Sequence, residues 1–265
     1  MADATGFDLK GSAPGRYEHY VAPLMAPFVT ALVEAVDLYP GATVLDLACG
    51  TGFAARAAAA QAGPAGRVAG ADVNEGMLEI AVARHPRLYP DIEFTAAPAD
   101  DLPYPDATFD AVICQQGAQF FPDLDAALTE TARVTRPGGR FAATVWARLD
   151  DSPYFIAQQR ALEQFDGREA AESFRAAFAA ADRLSAALDR AGFHSTTRRD
   201  LTYAIDLPPL EDYVAGHLSA IPWGQSLVDS GGEEALARAA DTVRAHLPGS
   251  TTTFPFTATL VTAIR

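Results

Sequence analysis

Residues 44–59 read VLDLACGTGFAARAAA: an apolar run carrying one carboxylate, Asp46, then a loop of small residues, then an alanine-rich segment. A strand, a tight loop and a helix in that order aim backbone N–H groups and the positive end of the helix at whatever binds there. Small residues let the backbone approach a ligand closely. Such a loop suits a dinucleotide or S-adenosylmethionine, and spacing separates the two. The dinucleotide fingerprint places small residues at its first, third and sixth positions. Here these are Ala48, Gly50 and Phe53, and Phe53 would clash where that helix must pack closely. The sequence offers instead Ala48-Cys49-Gly50-Thr51-Gly52, a G-x-G-x-G spacing with alanine in the first place. Other reactive groups stand far from the loop: Tyr17, His19 and Tyr20 in YEHY, and His217 ahead of Trp223. His19 and His217 are the candidate general bases. His85, His194 and His246 are expected at the surface.

The elements that must position these groups alternate. Residues 17–38 carry apolar residues at helical spacing. PGA at 40–42 is a turn, and TVLDLA after it is a strand buried on both faces. The alanine-rich helix stops at Gly63-Pro64. RVAGADV (67–73) is the next strand, and Asn74 can cap a helix, EGMLEIAVAR, that closes before Pro86. IEFTAA (92–97) and FDAVICQ (109–115) are strands, a helix runs from Asp123 to Val134, and RPGGRFAATVWA supplies a turn and a strand. Residues 153–191 are mostly helical and end at Gly192 as a C-cap. TRRDLTYAIDL is a strand, 209–247 are helical with an interruption at PWG (222–224), and TTTFPFTATLVTAIR is a final strand.

This order predicts an α/β fold: a Rossmann-like, doubly wound, mostly parallel sheet with an antiparallel C-terminal strand and a helical insertion over the active site. Its units are an N-terminal lid and helix (1–39), a Rossmann-like core (40–147), a mostly helical covering segment with one strand (148–250) and a C-terminal strand completing the sheet (251–265). The net charge of −14 and pI of about 4.6 argue against nucleic acid or an anionic membrane surface as partner. Lys10 is the only lysine. There is no apolar leader in the first residues and no run long enough to span a membrane, so the expected location is cytoplasmic. Two cysteines, Cys49 and Cys114, are expected as buried, inert thiols. No spaced set of metal ligands is visible; Asp100-Asp101 and Asp150-Asp151 read as a loop and a solvated turn.

VLDLACGTG resembles motif I of the class I S-adenosylmethionine-dependent methyltransferases. The later segments GADVNEGML (70–78), PADDLPYPDATFDAVICQQGAQFFPD (98–123) and RVTRPGGRFAATVW (133–146) match that family in order and spacing. The likeness covers roughly residues 17–147 and is nearest to small-molecule enzymes of the ubiquinone, menaquinone and natural-product type. It implies S-adenosylmethionine as cofactor, with Asp46 orienting the loop and the backbones of Ala48, Gly50 and Gly52 along the methionine part. It implies ribose binding by Asp72, with Val73 beside it, adenine contacts from Met77 and the Ala99 N–H, and the Gln115 carbonyl on the methionine ammonium. Pro98 stands where relatives place an aspartate, so Asp100 is the substitute for the adenine amino group. Tyr17 and Tyr20 would close over the sulfonium. Tyr17, Gln119, Trp146 and Trp223 would face the acceptor, a small organic molecule whose apolar or aromatic character is suggested by Tyr154, Phe155, Phe174, Phe178, Tyr213 and Trp223. Ala48 is expected at φ < 0. The chain is expected as a monomer or homodimer. The rival readings are a cofactor-retaining protein of the same fold with a non-methylating reaction or a binding role, and a NAD(P)-dependent oxidoreductase.

Overall fold

The computed structural model describes residues 8–84, 90–249 and 251–265. The first seven residues of the expected lid, His85 and Pro86 lie outside them. Seven strands form one sheet in the order β3-β2-β1-β4-β5-β7-β6. They are β1 (Thr43–Leu47), β2 (Arg67–Asp72), β3 (Ile92–Ala96), β4 (Phe109–Gln115), β5 (Thr135–Trp146), β6 (His194–Asp206) and β7 (Thr253–Ile264). The first five are parallel, with Val44 opposite Val68 on one side and Ala111 on the other. The expected antiparallel strand is β7, which runs against β5 and in turn pairs with β6 at the sheet edge. Because β1 lies between β2 and β4, the strand order reverses there, and a crevice opens above the carboxyl ends of those three strands.

Strand residues alternate between two covered faces. Val44, Val68 and Ile113 pack on one side with helices α2 (Ala26–Ala35) and α3 (Phe53–Ala62). Leu45, Leu47, Val112 and Phe141 pack on the other with α5 (Leu124–Val134) and α8 (Ala181–Arg190). A parallel sheet buried on both faces needs apolar residues at both parities of each strand. That makes Asp46, fully buried in the middle of β1, the exception. Helix α4 (Glu75–Arg84) begins as expected at Asn74, whose side chain accepts the Met77 N–H at 3.0 Å.

Over the crevice lie α1 (Ala13–Tyr20), α6 (Pro153–Phe165), α7 (Gly167–Ala176), α9 (Leu210–Ser219) and α10 (Pro222–His246). Two boundaries differ from the expectation. PWG does not interrupt a helix: Pro222 sits in the first turn of α10, where its missing N–H costs nothing, and the break falls at Ala220–Ile221. The non-helical residue inside α10 is Gly232, at φ 69°. Helix α8 is no part of the cover, since it packs with α5 on the far face of the sheet. Among the described residues, no helix is long and apolar enough to cross a membrane.

Candidate functional site

The loop from Ala48 to Gly52 turns β1 into α3 through three left-handed residues, Ala48 (φ 55°), Gly50 (φ 53°) and Gly52 (φ 77°). Ala48 therefore does not keep the negative φ expected of an alanine; the tight turn imposes the left-handed conformation at a cost of about 1 kcal/mol. Asp72, at the end of β2, staples this loop. Its Oδ2 accepts the Gly50 N–H at 2.7 Å and its Oδ1 the Asn74 N–H at 2.8 Å. Burial raises the Asp72 carboxyl above the ordinary range, and those two N–H groups hold it back. Asp46 lies beneath the loop with both carboxylate oxygens buried and lacking a hydrogen-bond partner, and burial pushes its carboxyl up to about 8.

Above the loop is a cavity of about 310 Å³. One end is formed by Ala48, Gly50, Asp72, Val73, Met77, Ala99, Asp100 and Gln115, the other by Trp146, Phe155, Phe174, Phe178, His217 and Trp223. Tyr17 and Gln119 also line it. A recess of about 30 Å³ continues under Tyr17 toward Thr51 and Gln115. Thr51 Oγ1 and Gln115 Nε2 at this recess are buried with no hydrogen-bond partner. The turn after β4 carries Gln116 at φ 52°, a strained position that sets its side chain beside that of Gln119.

Thirteen of the expected residues border this space, and four do not. Asp46 is sealed below it. Gly52 faces away: a Cβ there would stand 2.8 Å from Phe94 Cζ, so its smallness serves helix packing rather than ligand approach. Tyr20 packs its ring on Gly216 of α9 and accepts the Tyr213 hydroxyl at its backbone oxygen, 2.8 Å. His19 is exposed, stacked edge-on to Tyr20 at 4.5 Å, and does not reach the cavity. Of the aromatic residues expected to wall the acceptor, Tyr154 and Tyr213 are core instead. His194 and His246 are exposed and both cysteines buried, as expected; burial raises both thiols, Cys114 to about 12.

Several groups at the cavity escaped sequence reasoning. Gln158 of α6 is completely buried and its Nε2 lies 2.8 Å from His217 Nδ1. Gln116 Oε1 accepts from Gln119 Nε2 at 2.9 Å. A glutamine in a helix that reads as amphipathic gives no signal of a partner three helices further along the chain. The lid is tied down by a half-buried ion pair, Glu18 to Arg56 at 2.8 Å, whose guanidinium also donates to the Thr51 carbonyl. Among the described residues no cluster of His, Cys, Asp or Glu is arranged to hold a metal ion.

Residues 44–139 match a family model described as a methyltransferase domain. A demethylmenaquinone methyltransferase of Symbiobacterium thermophilum is 44% identical over 106 residues, 38% of this chain and 41% of that one. A fatty-acid O-methyltransferase of Mycolicibacterium smegmatis is 35% identical over 160 residues, 57% of each chain. The chain thus spans about half the length of the curated relatives it matches. Among solved structures, a SAM-dependent methyltransferase from Aquifex aeolicus shares the fold with TM-score 0.56 at 16% identity, over 97% of this chain and 100% of that one. The [4+2]-cyclase SpnF does so with TM-score 0.58 at 21% identity, over 100% of this chain and 87% of that one. The matched residues 44–139 hold the Asp72-stapled loop and the sheet's switch point, and over them the chain is similar to methyltransferase domains.

Proposed function

We propose that the chain transfers a methyl group from S-adenosylmethionine to a small organic acceptor with an apolar or aromatic face. The observation that carries the reading is that one cavity joins the Asp72-stapled loop to an aromatic chamber. The residues present fit the cofactor: the partnerless Thr51 Oγ1 and Gln115 Nε2 give its polar methionine end hydrogen-bonding groups in the recess. Asp72 would take the ribose hydroxyls, Met77 and Ala99 the adenine, and Asp100, exposed at the rim, the adenine amino group. When bound, S-adenosylmethionine supplies a methyl group already activated by its sulfonium.

What remains for the protein is to hold the two partners in line at about 3 Å and to keep water out. Trp146, Phe155, Phe174 and Phe178 do the second, in edge-to-face and tilted contacts at centroid distances of 4.8 to 6.3 Å. Tyr17, on the lid helix, borders both the recess and the main cavity, where an aromatic face would meet the sulfonium. The reading includes a cytoplasmic enzyme without nucleic-acid or membrane partners. It is tested by calorimetric titration with S-adenosylmethionine, S-adenosylhomocysteine and NAD, followed by assay of S-adenosylhomocysteine release against a panel of aromatic and aliphatic acceptors. Binding of the two S-adenosyl compounds with acceptor-dependent release supports it. Binding of NAD alone refutes it, and binding without release from any acceptor favours the non-methylating alternative.

A further inference from the structure

We propose that Gln158 and His217 form the acceptor-recognition pair of the cavity, with His217 donating a hydrogen bond from Nε2–H to an uncharged oxygen of the acceptor. The inference rests on the methyl-transfer reading for what the ligand is, and on the side-chain geometry for how it is held. Gln158 is fully buried on α6, and its amide Nε2 meets His217 Nδ1 at 2.8 Å across the cavity wall. An amide nitrogen only donates, so Nδ1 is the accepting nitrogen and the ring proton sits on Nε2. His217 keeps 3% exposure, and the space it borders is the cavity. Tyr154 and Tyr213 wall the ring at centroid distances of 5.4 and 5.6 Å. In that setting burial holds the imidazole at about 4, so it is neutral at pH 7. With one nitrogen occupied and the other protonated, the ring has no lone pair to offer. His217 is thus a donor, and the general-base role expected for it does not follow from this geometry.

The other polar groups of the chamber share this character. Gln116 and Gln119 are bonded to each other, which leaves Gln116 Nε2 and Gln119 Oε1 buried without partners. Both residues line the cavity. Among the described lining residues there is neither lysine nor arginine, while Asp72, Asp100 and Asp123 carry negative charge. A carboxylate or phosphate on the acceptor would lose its water, gain no counter-charge and feel those carboxylates. The acceptor class that fits is therefore a planar, apolar molecule bearing neutral carbonyl or hydroxyl oxygens, and a free fatty acid does not fit.

Two measurements on the full chain test this. A long-range proton–nitrogen correlation spectrum of protein labelled with nitrogen-15 histidine reports each ring's protonation, with His217 identified by its loss in His217→Gln. A neutral ring carrying its proton on Nε2 at pH 7 is expected; a proton on Nδ1, or an imidazolium, overturns the assignment. Calorimetry at saturating S-adenosylhomocysteine then compares 1-tetralone, whose oxygen only accepts, with 1-naphthoate. Tetralone is expected to bind at least about tenfold more tightly, and to lose about five- to tenfold in His217→Phe and in Gln158→Glu, which draws the proton to Nδ1. Equal or tighter binding of 1-naphthoate, or unchanged tetralone affinity in both variants, overturns the proposal. Failure of S-adenosylhomocysteine to bind wild type overturns the methyl-transfer reading instead, and the spectrum still decides the pair.

Discussion

Replacing Asp72 by alanine removes two hydrogen bonds at once, to the N–H groups of Gly50 and Asn74. A hydrogen bond to a charged acceptor contributes about 1.5–3 kcal/mol. Here the lower end applies, because the residue opens onto the cavity and water can reach the freed groups. The variant is also relieved of a carboxyl that burial disfavours. The net expectation is a loss of about 2 kcal/mol, which for a chain of this size lowers the unfolding midpoint by roughly 4–8 °C. Ligand binding suffers separately. Losing the contacts proposed for the carboxylate with two ribose hydroxyls should cost about 2–3 kcal/mol, or roughly 30- to 150-fold in the dissociation constant of S-adenosylhomocysteine. Thermal unfolding with and without S-adenosylhomocysteine reads both, and Asp72→Asn, which keeps one accepting oxygen, should fall between. An alanine variant that melts within 1 °C of wild type and still gains the full ligand shift would refute the assignment of Asp72 to both tasks.

The other predictions concern pH and packing. Asp46 titrates at about 8 when folded and near 3.9 when unfolded, so between those values folding takes up a proton and stability falls as pH rises. His217, lowered to about 4, acts with the opposite sign between about 4 and 6.5, where stability grows with pH. Above 6.5 the second effect fades, so urea unfolding should show wild type losing about 1–1.5 kcal/mol from pH 6.5 to 8, a slope that Asp46→Asn flattens. Gly216→Ala would set a Cβ 2.3 Å from Tyr20 Cζ; a loss of about 1–2 kcal/mol is expected, shrinking in combination with Tyr20→Ala. Tyr20→Phe should leave S-adenosylhomocysteine affinity unchanged by calorimetry, since the residue lies outside the cavity lining; a tenfold loss would return it to the site. Trp146→Ala, which strips contacts from Phe28, Phe155 and Phe256, should destabilise by about 3–5 kcal/mol in the same unfolding assay.

The sheet was legible because each parallel strand needs an apolar run and each crossover needs a helix, so the alternation over residues 40–147 leaves few topologies. The place of Asp72 beside the loop was legible because strand end and loop lie at a fixed spacing along one βαβ unit. Tyr20 was not, since a lid helix that covers a ligand and one that packs on a neighbour share the same period of apolar residues. The PWG boundary was misplaced because proline both ends helices and opens them. The Gln158–His217 pair is a meeting of α6 and α9, fixed by packing, and nothing local in either helix encodes it.

The missing first glycine of the loop has a counterpart elsewhere. A Cβ built on Gly117, in the turn after β4, would stand 2.6 Å from the methyl of Ala48. The two strand ends thus have room for one methyl between them, and it hangs from β1. Gly117→Ala alone overfills that seam, with Cys114 Sγ only 3.1 Å away on the other side; Ala48→Gly alone relieves the left-handed residue but leaves a gap. Made together, the exchanges move the methyl across the seam and largely cancel. Positions 48 and 117 are therefore expected to vary as an either-or pair, and a pattern search that scores the loop one residue at a time counts as a flaw what is half of a trade.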